Sequence, residues 1–246
     1  ARVGRTERHA LGDRRPHVLR IKLVSMPSVL TVNLARPRPN PDKQSVLTGI
    51  DKQPTDDAVA VRPPGPKRDG LGSGLTADAI GNKKLHGGDD QAVYAYARED
   101  LDDWQTKFGR TLDNGNFGEN LTTSGIDVTG ARIGERWHVG SDGLVLEVTS
   151  PRTPCRTFAA FLEIPDLIKT FTKAAIPGAY LRVISPGTVR AGDQVVVSDR
   201  PDHDVTVAVV FRAILSEPEL LPQLIDVDAL PEDIKDLARR RGAQPA

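Results

Sequence analysis

The chain has 246 residues with 33 basic and 33 acidic side chains, so it lacks the basic surplus of a nucleic-acid-binding surface. Its 38% hydrophobic content supports a core, yet no apolar run approaches the ~18–20 residues of a membrane-spanning helix. The single cysteine excludes an intrachain disulfide and a zinc site built on paired cysteines, and it suits a reducing, cytoplasmic setting.

Residues 1–25 are Arg-rich but carry no apolar stretch like that of a secretory signal. Met26 is the only methionine. The expectation is a non-native or disordered extension over 1–25, with a basic N-terminal arm as the alternative. Strands are predicted at 29–34, 59–62, 136–139, 144–149, 180–184 and 194–198, which are short, β-branched and mostly bounded by Gly, Pro, Asp or Asn. Their irregular spacing suits a closed or nearly closed barrel better than a βαβ succession. Residues 63–74 form a Pro- and Gly-rich loop. The segment 99–108 puts Leu101, Trp104 and Phe108 on one helical face, and 156–175 holds two short amphipathic segments broken at Pro165. Three short helices are predicted near the C-terminus, with capping-box spacing at Ser216 and Glu219 and Pro231 in a first turn. The expected class is mainly β (α+β), with a barrel-like domain over 26–203 and a three-helix region over 204–246.

Four segments carry candidate chemistry. In Ser150-Pro151-Arg152-Thr153-Pro154-Cys155-Arg156-Thr157 two prolines fix the backbone ahead of the thiol. Arg152 and Arg156 place positive charge near it, which favours the thiolate, the form that acts as nucleophile or metal ligand. A buried, inert cysteine is the competing reading. In Lys84-Leu85-His86-Gly87-Gly88-Asp89-Asp90-Gln91 the paired glycines permit positive φ and can turn successive N–H groups towards an anion, and His86 can donate to it or move a proton. A glycine hairpin with a surface histidine is the plainer alternative. Phe117, Gly118, Glu119 and Asn120 can read the edge of a polar heterocycle or simply stabilise a turn. Thr48 and Lys52 can hold a phosphate or lie on a solvated hairpin.

Other templates fail. The run 70–75 lacks the third glycine of a dinucleotide fingerprint and the Lys-Ser/Thr of a P-loop. No Gly-x-Ser-x-Gly elbow is present, and the five histidines have no paired spacing for zinc. His138, beside Trp137 in a strand pattern, reads as structural.

Taken together and in order, the segments resemble the MOSC domain family, in particular its stand-alone YiiM-like branch. The matching pieces are T-G-I-D-K-Q-P at 48–54, H-G-G-D-D-Q-A-V-Y-A-Y at 86–96, F-G-E-N-L-T at 117–122, S-P-R-T-P-C at 150–155 and I-P-G-A-Y-L-R-V-I-S-P-G-T-V-R-A-G-D at 176–193. Asp89 stands where relatives often carry proline. The resemblance spans about residues 28–200, and the C-terminal helices are similar to an extension common in that branch. It implies a β-barrel-like domain and a pyranopterin-type molybdenum cofactor, with Cys155 as the protein's bond to molybdenum. By the same resemblance His86, Gly87, Gly88, Thr48, Lys52, Arg152, Arg156 and the 117–120 turn would line the cofactor pocket.

The implied activity is reduction of small N-hydroxylated compounds, with Cys155 and His86 as the catalytic pair and His86 as proton donor. No flavin, haem or iron–sulfur motif is visible, so electrons would come from a separate donor protein. The alternative is a non-catalytic carrier in which Cys155 holds a persulfide or the cofactor in transit. A homodimer is compatible with the sequence.

Overall fold

The computed structural model describes residues 26–242, so the expectation for residues 1–25 lies outside the described part. Its centre is an eight-stranded sheet. In chain order the strands are β1 (Ser28–Ala35), β2 (Arg38–Asn40), β3 (Lys43–Thr48), β4 (Lys52–Thr55), β5 (Val59–Val61) and β6 (Val93–Ala97). They continue with β7 (Leu121–Ser124), β8 (Arg136–Val139), β9 (Leu144–Pro151), β10 (Ala179–Ser185), β11 (Gly187–Val189) and β12 (Val195–Asp199). The helices are α1 (Arg98–Phe108), α2 (Arg156–Leu162), α3 (Leu167–Ala174), α4 (Val207–Leu215) and α5 (Glu232–Gly242), with 3-10 turns at Asp89–Gln91 and Pro218–Leu224.

The sheet order is β12-β8-β9-β10-β6-β7-β1-β4, while β2–β3 and β5–β11 form separate pairs. All neighbours are antiparallel except β6 and β7, which run parallel and are joined by α1. One βαβ unit therefore sits inside a sheet for which none was expected. The α+β class is as expected, but the barrel is not closed. Ser28 bridges Gln194, and the N–H groups of Val29 and Val195 donate across the seam to Asp193 and Pro27, each at 2.8 Å. The second half of that β1 edge, Val32–Ala35, is taken by β4, so β12 cannot zip along it.

Apolar residues separate into two buried clusters. One is aliphatic and runs from the sheet (Val32, Leu146, Leu181) into the C-terminal helices (Val210, Leu224). The other gathers every aromatic side chain of the protein except Trp137. The boundary expected near 200–204 falls in the connection from β12 to α4, and the helices beyond it share the sheet's aliphatic core. Thr206 caps α4 by accepting from the Val209 N–H at 3.2 Å. The expected capping box does not form. Ser216 instead donates back to the Arg212 carbonyl at 3.4 Å, because it ends α4 rather than starting the next turn.

A buried carboxylate ties the site-bearing loops to the sheet. Asp78 accepts from Lys52 Nζ at 2.6 Å, Ser73 Oγ at 2.6 Å, Asn120 Nδ2 at 2.9 Å and the Ala35 N–H at 2.9 Å. Its side chain is 0% exposed and that of Lys52 is 5% exposed. Burial pushes the Asp78 pKa up, but the Lys52 charge and the donated hydrogen bonds outweigh it and hold the group below its usual value. Removing one partner leaves an uncompensated buried charge. Asp78→Ala is therefore expected to destabilise the fold by about 3–5 kcal/mol in urea unfolding, and a loss under 1 kcal/mol would show that Lys52 finds water instead.

Candidate functional site

The last residues of β9 deliver Ser150, Pro151 and Arg152 to one end of the sheet. The chain then stays extended through Cys155 (φ −134, ψ 168) and enters α2 at Arg156. Cys155 is half-buried and packs against the aromatic cluster.

Arg152 is the unusual member of this segment. It is 5% exposed, and its guanidinium carbon lies 4.1 Å from the centre of the Phe158 ring and 5.4 Å from that of Tyr94. Among the described residues it has no carboxylate partner, and its Nη1 is buried with no acceptor. Burial works against its charge, but the neighbouring Tyr94, Tyr180 and Cys155 hold its pKa above the ordinary arginine value. The result is a fixed cation beside the only thiol, with an N–H left for an anion.

His86 faces the same region. A cavity of about 180 Å³ is lined by His86, Ser150, Pro151, Thr153 and Tyr180, so it joins the H-G-G turn to the S-P-R-T-P-C segment. Burial above all, and then the Arg152 and Lys67 charges, lower the His86 pKa to about 4. At neutral pH the imidazole is therefore uncharged. Its pKa thus lies below the near-neutral range expected of a proton donor, which leaves it a neutral hydrogen-bonding group at neutral pH.

The two glycines are required by packing. Gly87 and Gly88 both have φ of +81°, and a Cβ on Gly87 would lie 2.5 Å from the Gly72 carbonyl oxygen. The Gly88 N–H donates to that same carbonyl at 2.9 Å, so one of the two amides expected to face an anion is spent on the 63–74 loop. Asp89 adds a second clip by accepting from the Gly65 N–H at 2.8 Å.

Several other expected site residues have their polar atoms committed within the fold. Glu119 is fully buried and accepts from the Gly115 and Phe117 N–H groups and from Thr122 Oγ1. Burial, only partly offset by these bonds, raises its pKa. Asn120 bonds Asp78 and the Tyr94 N–H, and Lys52 is locked to Asp78. Thr48 Oγ1 accepts from the Ile50 N–H at 3.2 Å. Phe117 packs edge-on to Phe158 with ring centres 5.1 Å apart, and Gly118 has φ of +75°. Arg156 points outward, 79% exposed, and pairs with Asp42 at 2.8 Å. The structure thus places Arg152 within electrostatic reach of both His86 and Cys155, with Phe117 packed behind Phe158, and leaves Arg156 outside.

Sequence reasoning missed Asp78, Tyr94, Tyr180, Lys67 and Gln91. Both tyrosines stand inside quoted motifs but read as strand residues. Lys67 sits in a loop with no pattern to mark it. Among the described residues no group of three or more His, Cys, Asp or Glu is placed to hold a metal ion, and no helix is long and apolar enough to cross a membrane.

Comparison with known proteins gives the family. The family model described as "MOSC domain" matches residues 82–196. The uncharacterized protein YflK of Bacillus subtilis (strain 168) is 31% identical over 186 residues, covering 75% of this chain and 79% of YflK. YiiM of Escherichia coli (strain K12) is 31% identical over 137 residues, covering 54% of this chain and 60% of that protein. A protein of Gibberella moniliformis named "Reductase" is 29% identical over 161 residues, but the match spans only 28% of its length. The crystal structure of YiiM from Geobacillus stearothermophilus superposes with a TM-score of 0.70 at 25% identity, covering 88% of this chain and all (100%) of that one. The chain belongs to the MOSC domain family, among its YiiM-like members.

Proposed function

We propose that the chain is a molybdenum-cofactor-binding oxidoreductase that reduces small N-hydroxylated compounds in the cytoplasm, with Cys155 as the protein's ligand to molybdenum. The observation that carries this reading is the buried Arg152 cation, with no acidic partner among the described residues and an Nη1 without an acceptor, beside the lone half-buried thiol. Burying an unpaired charge costs several kcal/mol, which favours an anionic group at this point. A thiolate-bound, anionic pyranopterin centre supplies one, and soft sulfur suits the metal. The residues present therefore fit such a group.

When bound, that group supplies the two-electron chemistry that breaks the N–O bond. The overall change, R–NH–OH plus two electrons and two protons giving R–NH2 and water, needs an electron source, for which a separate donor protein is the candidate. The chain's own residues divide the remaining work. Pro151 and Pro154 hold the backbone that aims Cys155, and Arg152 neutralises negative charge gathered there. His86, uncharged at neutral pH, offers one ring N–H and one ring acceptor to a molecule in the cavity.

Two outcomes test the reading. Protein made in the presence of molybdate is expected to carry molybdenum stoichiometrically, and Cys155→Ser to carry none by metal analysis. Equal metal in both would overturn the assignment, and a labile extra sulfur on Cys155 without molybdenum or turnover would favour the sulfur-carrier alternative. The second outcome concerns pH. The folded His86 pKa lies below its unfolded value of 6.5, so the unfolded chain takes up the proton first as pH falls. Stability linked to this group is complete above about 6.5 and is lost towards pH 4, by up to about 3 kcal/mol. Unfolding of wild type and His86→Asn at pH 7 and pH 4.5 should show a smaller acid loss in the variant; equal losses would place the titration elsewhere.

A further inference from the structure

Away from the cavity beside His86, α3 and the end of α4 form a groove of about 490 Å³. Lys169, Thr172 and Lys173 of α3 line one side, and Arg212, Ser216 and Glu217 line the other. Three cations meet one carboxylate there. Glu217 pairs with Arg212 at 3.6 Å, which is the one ion pair that Lys169, Lys173 or Arg212 makes among the described residues. Arg241 brings a fourth cation, because its Nη1 donates to the Ile214 carbonyl in the last turn of α4 at 3.3 Å. Cations near a helix C-terminus complement the helix dipole, which accounts for Lys173 and Arg212. Lys169 is different: it lies in the first turn of α3, where positive charge opposes the dipole. In a chain with 33 basic and 33 acidic residues, this is a local excess.

Behind the groove lies the aromatic cluster. Phe171 precedes Thr172 and Phe211 precedes Arg212, and both rings are fully buried with centres 6.0 Å apart. Phe171 meets Phe158 at 5.4 Å, and the Phe158 ring centre lies 4.1 Å from the Arg152 guanidinium carbon. Cys155 packs on the same cluster. A contiguous set of rings therefore links the two helices that line the groove to the Arg152 and Cys155 end of the site.

We infer that this groove is the docking surface for the electron donor, a small carrier protein that presents an acidic face. The inference rests on the proposed reduction of N-hydroxylated compounds and specifies the partner which that reading requires. Breaking one N–O bond takes two electrons. Two one-electron carriers are oxidised while R–NH–OH and two protons give R–NH2 and water, so a carrier must dock and leave twice per turnover. Such traffic favours a small contact steered by charge over a tight one. A recess between two helices also admits an acidic loop better than it fits the flat plane of an anionic bilayer.

A plant-type ferredoxin, which is a small acidic iron–sulfur protein, is the probe. Its binding to the full chain, followed by NMR titration, needs neither molybdenum nor turnover. Binding is expected at about 20 mM salt and should be lost by about 300 mM, where screening shortens the reach of surface charge. Lys169→Glu combined with Lys173→Glu is expected to weaken it roughly tenfold or more, whereas arginine at both positions keeps it. Lys43→Glu combined with Lys84→Glu makes the same change in net charge at two other exposed positions and should alter affinity by less than about twofold. No ferredoxin binding to wild type at low salt would overturn the inference, as would equal weakening by the two charge-reversed pairs. Binding to phosphatidylserine vesicles in place of ferredoxin, lost in the Lys169 and Lys173 variant, would also overturn it and assign the groove to a membrane surface. The metal analysis is read separately. Molybdenum on Cys155 with no dependence of ferredoxin binding on Lys169 and Lys173 removes this inference alone, and charge-dependent docking without molybdenum removes the redox reading.

Discussion

A guanidinium buried with no carboxylate beside it among the described residues is the constraint around which this molecule's functional end is organised. Desolvating an ion costs several kcal/mol, and the Phe158 and Tyr94 ring faces return part of it, on the order of 2 kcal/mol for a desolvated cation–π contact. The aromatic contacts hold Arg152 in place without settling its charge. What surrounds it follows from that deficit. His86 stays uncharged, through burial first and then because a second cation there would be repelled, the phenols of Tyr94 and Tyr180 crowd the Arg152 flanks, and the lone thiol stands where a negative partner is wanted.

Asp78 and Lys52 show the opposite use of a buried charge. Both are desolvated, but each has its counter-ion and the carboxylate has three further donors. A satisfied pair of this kind fixes loops in position and leaves nothing over for a ligand. The two sites divide the labour within one fold: the closed network positions Asn120 and β4, and the open cation gives the site its electrostatic sign.

How much of this was legible in the sequence depended on how local the determining contacts are. Strands such as β8 and β9 announced themselves because short stretches with β-branched residues are bounded by glycines. β6 was harder to read, since Val93–Ala97 is buried on both faces and shows no alternation. β7 and β4 were hidden by Leu-Thr-Thr-Ser and Lys-Gln-Pro-Thr, which carry too little apolar character to register. At the site, the paired glycines and the proline-flanked cysteine could be found because backbone geometry is written into those residue types. That Lys52 meets Asp78, and that Arg156 turns outward to Asp42, could not be read from spacing. Those partners lie 26 and 114 positions away, and only the tertiary fold chooses between a ligand and an internal carboxylate.

The seam at β1 has a consequence for how the chain comes to its native state. Pro27 and Val29 leave a ribosome well before their backbone partners, Asp193 and Val195. Until Asp193 and Val195 have been synthesised, that edge of β1 lacks these partners and stays open to any other extended segment. Such distant pairing slows folding and lengthens exposure to aggregation. The β4 hairpin arm, which arrives early and covers the other half of the edge, acts in effect as an intramolecular guard during that wait.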